Sequence, residues 1–223
     1  MNTIDLFKLV LNIFEIAACI IGFLYIQKLK SSHWKFFPYY LLLIVLSEFT
    51  GKYFHYAGLN NVKVGLYNYF VIPLEILFFI WLFYKEFKHS AARLLPVAAA
   101  CIYIAGWLAD MFAITKNPLW WVQSFSYTLG ILLILMLILT FLYRLATGNE
   151  ILFIKTNMMF WICLGLFVFY FCSLPFFGMG NYLFTRYGNI YIWYAYAIYV
   201  LNYIMYSLFI IAFIWGKPKL SYL

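Results

Sequence analysis

Charged side chains are scarce in this chain. Asp, Glu, Lys and Arg make up 10% of its 223 residues, whereas 67% are hydrophobic and 24% are aromatic. A soluble domain has about 25% charged and about 45–50% apolar residues, so a water-soluble fold of this length could not bury so much apolar surface. No stretch of ordinary polarity indicates an attached soluble domain. We therefore predict a single integral membrane domain over residues 1–223.

Residues and motifs that carry common chemistry are also missing. The last apolar segment contains no lysine, so a retinal Schiff base would have no attachment point. The chain has three histidines and four cysteines, without metal-ligand spacing. It has no HExxH or GxSxG motif and no Gly-rich loop that could cradle a phosphate. We therefore predict no metal site, no cofactor and no catalytic residue of these types.

Long apolar segments are what the chain has in abundance. A helix needs about 20 residues to cross the hydrocarbon core of a bilayer. Polar connections such as GLNNVKVG and GMGNYLFTRYGN separate segments of that length. The pattern predicts an all-α polytopic membrane protein with seven transmembrane helices, at Asp5–Ile26, Phe37–Tyr56, Leu66–Phe87, Leu94–Ile114, Leu119–Leu145, Asn157–Phe177 and Ile190–Trp215.

Lysine and arginine are distributed unevenly over the connections. Ten of these 15 residues lie in the 1–2, 3–4 and 5–6 connections and the C-terminal tail, and five lie on the other side. Because cytoplasmic loops carry an excess of basic residues, we predict that the N-terminus is outside and the C-terminus is cytoplasmic. The net charge of +8 is spread along the membrane borders, which favours membrane lipids as partners and argues against nucleic acid.

Three glutamates interrupt the apolar segments. Glu15, Glu48 and Glu75 lie about nine to eleven residues into the first three spans, and a rise of about 1.5 Å per residue places them near the middle of the bilayer. A charged residue at that depth costs about 2.5–3.5 kcal/mol on insertion scales. Since neutral polar residues would join helices at a lower cost, we expect these carboxyl groups to serve a function.

Other polar residues lie at helical spacing from two of these glutamates. Glu48, Lys52 and His55 are spaced i, i+4 and i+7, and Asn68 precedes Glu75 by seven residues. Lipid offers such groups no partner, so we expect them to face one central, outward-facing polar cavity in which Glu48 and Glu75 share a partner such as Lys52 or Asn68. The alternative is structural: a Glu48–Lys52 ion pair, with the other groups joining helices. The predicted ligand-binding residues are Glu15, Glu48, Lys52, His55, Asn68, Glu75, Gln123 and Asn202.

Part of the pattern resembles a known group of membrane proteins. The segment LSEFTGKYFHYAGLNNVKVGLYNYFVIPLEILFF is followed by MMFWICLGLFVFYF and YVLNYIMYSLFIIAFIW in the last two spans. Together these segments resemble the uncharacterised small seven-helix integral membrane proteins of Bacteroidota. The resemblance implies the inner membrane of a Gram-negative cell and no known activity. It is carried by Glu48, Asn61, Tyr67, Asn68, Glu75, Phe160, Trp161 and Asn202.

These observations leave three functions open. The first is a sensor- or receptor-like protein that binds a small or lipidic ligand in the outward-facing cavity and signals through a partner protein. The second is an ion- or proton-coupled transporter that uses the intramembrane glutamates as a relay, although spans 1–3 and 5–7 show no internal repeat. The third is a membrane-embedded enzyme, for which Glu48 and Glu75 are the available acid/base pair. A deep pocket closed on the cytoplasmic side would favour the sensor, and internal pseudo-symmetry would favour the transporter.

Overall fold

The computed structural model describes residues 3–88, 90–115, 117–148 and 154–217. These residues are predominantly helical, which confirms the all-α prediction. Within the described ranges, seven helices have 21 residues or more. They are α1 (Thr3–Leu24), α2 (Phe36–Tyr56), α3 (Asn60–Phe87), α4 (Ala91–Ile114), α5 (Ser124–Thr147), α6 (Met158–Arg186) and α7 (Gly188–Trp215).

Six of these helices, α1 and α3 to α7, have the length and apolar composition of membrane spans. The chain is therefore a multi-pass membrane protein. The helix α2 has 21 residues and occupies the second predicted span, but its polar side chains, Glu48 and Lys52 among them, lower its mean hydropathy. The seven-span count and the orientation stay predictions.

The predicted connection GMGNYLFTRYGN is not a loop. The helix α6 continues through it to Arg186, and only Tyr187 separates α6 from α7. The glycines do not end the helix, and Gly178 faces α5, where a Cβ at this position would make an ordinary contact with Thr128 Oγ1 at 3.5 Å. The prediction of a connection here was wrong because composition alone does not distinguish a glycine within a membrane helix from a loop glycine.

At the fifth span the structure has less helix than predicted. The span was predicted to begin at Leu119, but α5 begins at Ser124. Residues 117–123 instead form a non-helical segment that follows α4. Side chains of α3 and α6 form hydrogen bonds with the backbone of this segment. These bonds replace the ones that the same N–H and C=O groups would form within a helix.

The turn between α2 and α3 has a simple local cause. Gly58 adopts a φ of 74°, a left-handed conformation that glycine adopts without steric cost. The N–H of Leu59 donates to the carbonyl of Phe54 at 2.8 Å, and the N–H of Gly58 donates to the carbonyl of His55 at 3.1 Å. This pattern ends α2 in the manner of a Schellman cap and lets α3 begin at Asn60.

The fold divides into two compact units. The terminal unit comprises Met1–Val45, Ile138–Ser173 and Ile192–Leu223, and the central unit comprises Leu46–Leu137 and Leu174–Tyr191. The helices α2, α5, α6 and α7 contribute residues to both. Whether the two units act as the single predicted domain stays a prediction.

The terminal unit is held together by close helix contacts and aromatic side chains. A Cβ at Gly165 of α6 would lie 3.3 Å from the carbonyl oxygen of Met205 in α7, so the two backbones approach closely, as small residues permit in membrane helices. The ring of Phe37 lies 5.2 Å from that of Phe209 and 5.4 Å from that of Phe213. All three aromatic side chains are buried.

Candidate functional site

Two π-helical turns lie in the central unit, Tyr67–Val71 in α3 and Asp110–Ile114 in α4. Such turns are rare and are found frequently at functional sites. Each contains a fully buried polar side chain, Asn68 in the first and Asp110 in the second. Both side chains bind the backbone or side chains of the segment that joins α4 to α5, so they are the natural starting point for a site.

Asn68 fastens this segment to α3. Its Nδ2 donates to the carbonyl of Pro118 at 2.6 Å and to that of Trp121 at 2.8 Å, while its Oδ1 accepts from the N–H of Gln123 at 3.1 Å. Its own carbonyl accepts from Trp107 Nε1 at 3.1 Å. Both donors of its amide are thus used by the loop backbone, which makes Asn68 a loop anchor. Its predicted contact with a ligand stays a prediction.

Asp110 fastens the same segment to α4. One carboxylate oxygen accepts from Thr115 Oγ1 at 2.7 Å, and the other accepts from the N–H of Ser126 at 2.7 Å. That N–H is one of the first in α5, which have no partner within the helix, and the helix dipole favours a negative charge there. Asp110 was absent from the predicted site. Its only sequence signal was an acidic residue inside the apolar run WLADMF.

A third anchor comes from the extension of α6. Asn181 Nδ2 donates to the carbonyl of Val122 at 3.0 Å and to Ser124 Oγ at 3.2 Å. An open groove of about 390 Å³ lies against these anchors. Its lining residues are Ile114, Thr115, Trp121, Asn181, Tyr182 and Thr185.

Gln123, a predicted ligand-binding residue, lies at the end of this segment and caps α5. Its carbonyl accepts from the N–H of Tyr127 at 3.1 Å and from Ser126 Oγ at 3.2 Å. Its side chain is 1% exposed. Neither the oxygen nor the nitrogen of the side-chain amide has a hydrogen-bond partner in the part of the chain that the structure describes. Gln123 is therefore buried with its amide uncommitted, unlike Asn68.

Glu48 is half-buried on α2, and its carboxylate accepts a hydrogen bond from Tyr67 Oη at 2.8 Å. Gly51 makes room for this contact, since a Cβ there would lie 2.9 Å from the same hydroxyl. The Nζ of Lys52, one turn further along α2, lies over the ring of Phe49, 5.4 Å from the centroid. The structure thus links Glu48 to α3 through a tyrosine, and the predicted ion pair between Glu48 and Lys52 stays a prediction.

Glu75 lies on α3, two turns beyond Asn68, and is half-buried. It lies near enough to the hydroxyl groups of Tyr103 and Tyr127 for a carboxylate charge to influence them, and we call these three side chains of the central unit the Glu75 cluster. Tyr103 was not predicted from the sequence, where nothing distinguishes it from the other 20 tyrosines. The shared partner expected for Glu48 and Glu75 stays a prediction.

The remaining predicted residues lie elsewhere. His55 is exposed at the end of α2, where its Nδ1 lies 3.0 Å from Asn60 Oδ1. Glu15 and Asn202 belong to the terminal unit. Glu15 is buried in α1, and Asn202 donates to the carbonyl of Ile198 in its own helix at 2.9 Å. The common cavity predicted for all eight residues therefore stays a prediction, whereas six of them belong to the central unit.

Comparison with protein-family models, with curated proteins and with solved structures found no match for this chain. Across the described residues, no group of three or more His, Cys, Asp or Glu side chains is arranged to hold a metal ion. What the central unit does offer is a fastened loop and, in the same unit, a set of buried hydroxyl, amide and carboxyl groups.

Proposed function

We propose that this chain is a receptor-like protein of the inner membrane that binds a small or lipidic ligand in the central unit and signals through a partner protein. The observation that carries this proposal is the fastened segment of residues 117–126. Asn68, Asp110 and Asn181 hold it from three different helices. The segment contains the uncommitted amide of Gln123 and leads into Tyr127 of the Glu75 cluster.

The fastened loop favours a receptor over a transporter. A transporter must open its binding site alternately to the two sides of the membrane. Movement of this loop away from α3 and α4 would leave the Asp110 carboxylate and the Asn68 amide buried without partners, which is unfavourable. A receptor needs a smaller change, and the two π-helical turns are placed where movement of the loop would be transmitted to α3 and α4.

Proton flux separates the two functions. The purified protein and its Glu75→Gln variant are reconstituted into vesicles that contain a pH indicator, and the internal pH is followed after an external pH step. For a receptor we expect the same rate in both preparations and in protein-free vesicles. A flux that requires Glu75 would overturn the receptor proposal in favour of a proton-coupled transporter.

The signalling partner is sought by photo-crosslinking in cells. A photoreactive residue is placed at Lys30, Arg93 or Arg144, which are exposed and lie on the predicted cytoplasmic side. The matched control is Asn61, which is exposed on the opposite predicted side. We expect crosslinks to one second protein from the first set and none from Asn61. Failure of all three cytoplasmic positions to crosslink would contradict signalling through a bound partner.

A further inference from the structure

Three side chains of the central unit have buried polar atoms that lack hydrogen-bond partners among the described residues. They are the hydroxyl groups of Tyr103 and Thr128 and the amide of Gln123, which lacks a partner at both its oxygen and its nitrogen. Tyr103 is 0% exposed. At least about nine in ten buried polar groups in proteins are hydrogen-bonded, and leaving one unsatisfied lowers stability. Where two such side chains lie near one another, we expect a bound molecule to supply the missing hydrogen-bond partners.

Helix geometry brings Tyr103 and Gln123 to the same region. Gln123, Tyr127 and Gly130 are spaced i, i+4 and i+7, so they share one face of α5 and its cap. A Cβ at Gly130 would lie 3.0 Å from Tyr103 Cε2, so the ring of Tyr103 packs on this face. Seven residues span about 10 Å of helix, a separation that a small molecule and two long side chains can bridge. Trp121, two residues before Gln123, lines the open groove.

The surroundings define the chemistry of the ligand. Asp110 follows Tyr103 by seven residues, on the same side of α4, and Glu75 also lies near the Tyr103 hydroxyl, so the carboxyl groups around Tyr103 favour a neutral ligand over an anion. The uncommitted groups are a carboxamide and a phenol, which both donate and accept hydrogen bonds, as alcohol groups do. The ring of Tyr127, packed edge-to-face on Phe177 with centroids 4.5 Å apart, provides an apolar wall for a carbon skeleton.

We propose that Gln123 and Tyr103 form the polar contacts of a binding site for a small uncharged polyol or sugar. This inference rests on the proposed receptor function and specifies the class of its ligand. The side-chain amide of Gln123 would bind two neighbouring hydroxyl groups, and the Tyr103 hydroxyl would bind a third.

Thermal unfolding in detergent tests the site. The probes are myo-inositol, sorbitol and glucose at millimolar concentrations, at which general stabilisation by excluded solutes is negligible. We expect at least one probe to raise the Tm of the wild type. In Gln123→Met and Tyr103→Phe the Tm without probe should rise, because an unsatisfied group is removed. The probe-induced shift should be lost, with Kd weakened by about tenfold or more for each lost hydrogen bond.

Thr128→Val is the matched control. Thr128 Oγ1 is also buried without a partner in the described part of the chain, but it faces Gly178, on a different side of α5 from Gly130. This variant should likewise gain stability without probe, yet it should keep the full probe-induced shift. The control therefore distinguishes two effects: the gain in stability when any unsatisfied hydroxyl is removed, and the loss of the probe-induced shift when a ligand contact is removed.

Each alternative result has a distinct meaning. If no neutral probe shifts the Tm of the wild type, or if only ethanolamine or glycerol 3-phosphate does so, the proposed ligand class is overturned. If a neutral probe binds but Gln123→Met and Tyr103→Phe retain its full shift, the site is overturned and the receptor function stands. A Glu75-dependent proton flux overturns the receptor function itself, whatever the probes do.

Discussion

The central and terminal units bury different kinds of side chain. The terminal unit buries the polar residues Glu15 and Ser173 and is otherwise packed on apolar groups such as Trp34, Phe37 and Phe213. Most of the buried polar side chains in the described ranges belong to the central unit, namely Ser47, Asn68, Asp110, Gln123 and Ser126.

This difference matters because both units belong to a membrane protein. In a bilayer, apolar packing and close backbone approach hold helices together, whereas a buried polar group must find a partner within the protein. The terminal unit follows the first rule. In the central unit, Asn68 and Asp110 bind one loop, and the side chains of Tyr103, Gln123 and Thr128 lack hydrogen-bond partners among the described residues. Substitutions should therefore act through packing in the terminal unit and through hydrogen bonds and ligand response in the central unit.

The largest expected effect is that of Asp110→Ala in the central unit. The change leaves the buried N–H of Ser126 and the hydroxyl of Thr115 without their acceptor, and we expect a loss of about 3 kcal/mol in the free energy of unfolding. Unfolding in mixed micelles measures it. Asp5→Ala, at an exposed aspartate of the terminal unit, is the control and should cost less than about 0.5 kcal/mol. Equal losses in the two variants would remove the basis for treating Asp110 as a loop anchor.

A packing change in the terminal unit should rank second. Gly165→Leu places a side chain against the backbone of Met205, and overpacking of this kind costs about 2 kcal/mol. Gly180→Leu is the matched control in the same helix, because no atom lies within 4 Å of a Cβ at that position. It should be neutral or should gain up to about 1 kcal/mol from helix propensity. The rise in Tm that polyol probes induce should be unchanged in Gly165→Leu. If this variant lost the probe-induced rise, ligand response would not be confined to the central unit.

Much of the fold could be predicted because span length and apolarity are local properties of the sequence. The first span was predicted at Asp5–Ile26 and found at Thr3–Leu24, and the last was predicted at Ile190–Trp215 and found at Gly188–Trp215. The boundaries at α5 and α6 were predicted less well. A tertiary hydrogen bond from Asn181 to the carbonyl of Val122 joins the extension of α6, which was predicted as a loop, to the start of the predicted fifth span, which is not helical. No local pattern records such a contact.

The candidate site could be predicted only in part. Buried or half-buried carboxyl groups were identified by their positions in apolar runs, as for Glu15, Glu48 and Glu75. Their partners were harder to predict, because the sequence gives neighbours along a helix and not across helices. Glu48, for example, accepts a hydrogen bond from Tyr67 of the next helix, a contact that spacing along α2 could not indicate. Tyr103 was missed since burial of one tyrosine among 21 depends on the space that Gly130 leaves.

The Glu48–Tyr67 contact provides a smaller test of the central unit. Tyr67→Phe removes a hydrogen bond to a half-buried carboxylate, and we expect a loss of about 1 kcal/mol. A double-mutant cycle with Glu48→Leu should give a coupling energy of about 1 kcal/mol. Gly51→Ala should reproduce part of the loss, because its methyl group would displace the Tyr67 hydroxyl. Strictly additive losses in the cycle would mean that the hydrogen bond does not contribute to stability.

The smallest expected effect is a pH dependence in the terminal unit. Lys28 Nζ donates to the carbonyls of Phe213 and Ile214 at the end of α7, at 3.1 Å each. Burial lowers the pKa of Lys28 below its usual 10.5, and the nearby charge of Lys217 lowers this pKa further. The unfolded chain therefore binds more protons than the folded chain in the range between the lowered pKa and 10.5. The stability contributed at this site is lowest at neutral pH and rises as the pH increases through that range.

Lys217→Gln removes the charge that helps to lower the pKa of Lys28. The pKa of Lys28 should move back toward 10.5, so the variant should be slightly more stable than the wild type at neutral pH and should gain less on going to alkaline pH. Unfolding of both proteins across this pH range measures the difference, and Lys30→Gln, at an exposed neighbouring lysine, is the control. An equal or larger alkaline gain in Lys217→Gln would show that the two ammonium groups do not interact. Lys28 would then act only through its hydrogen bonds to the carbonyls of α7. Both the ammonium form and the neutral amine form of its side chain can donate them.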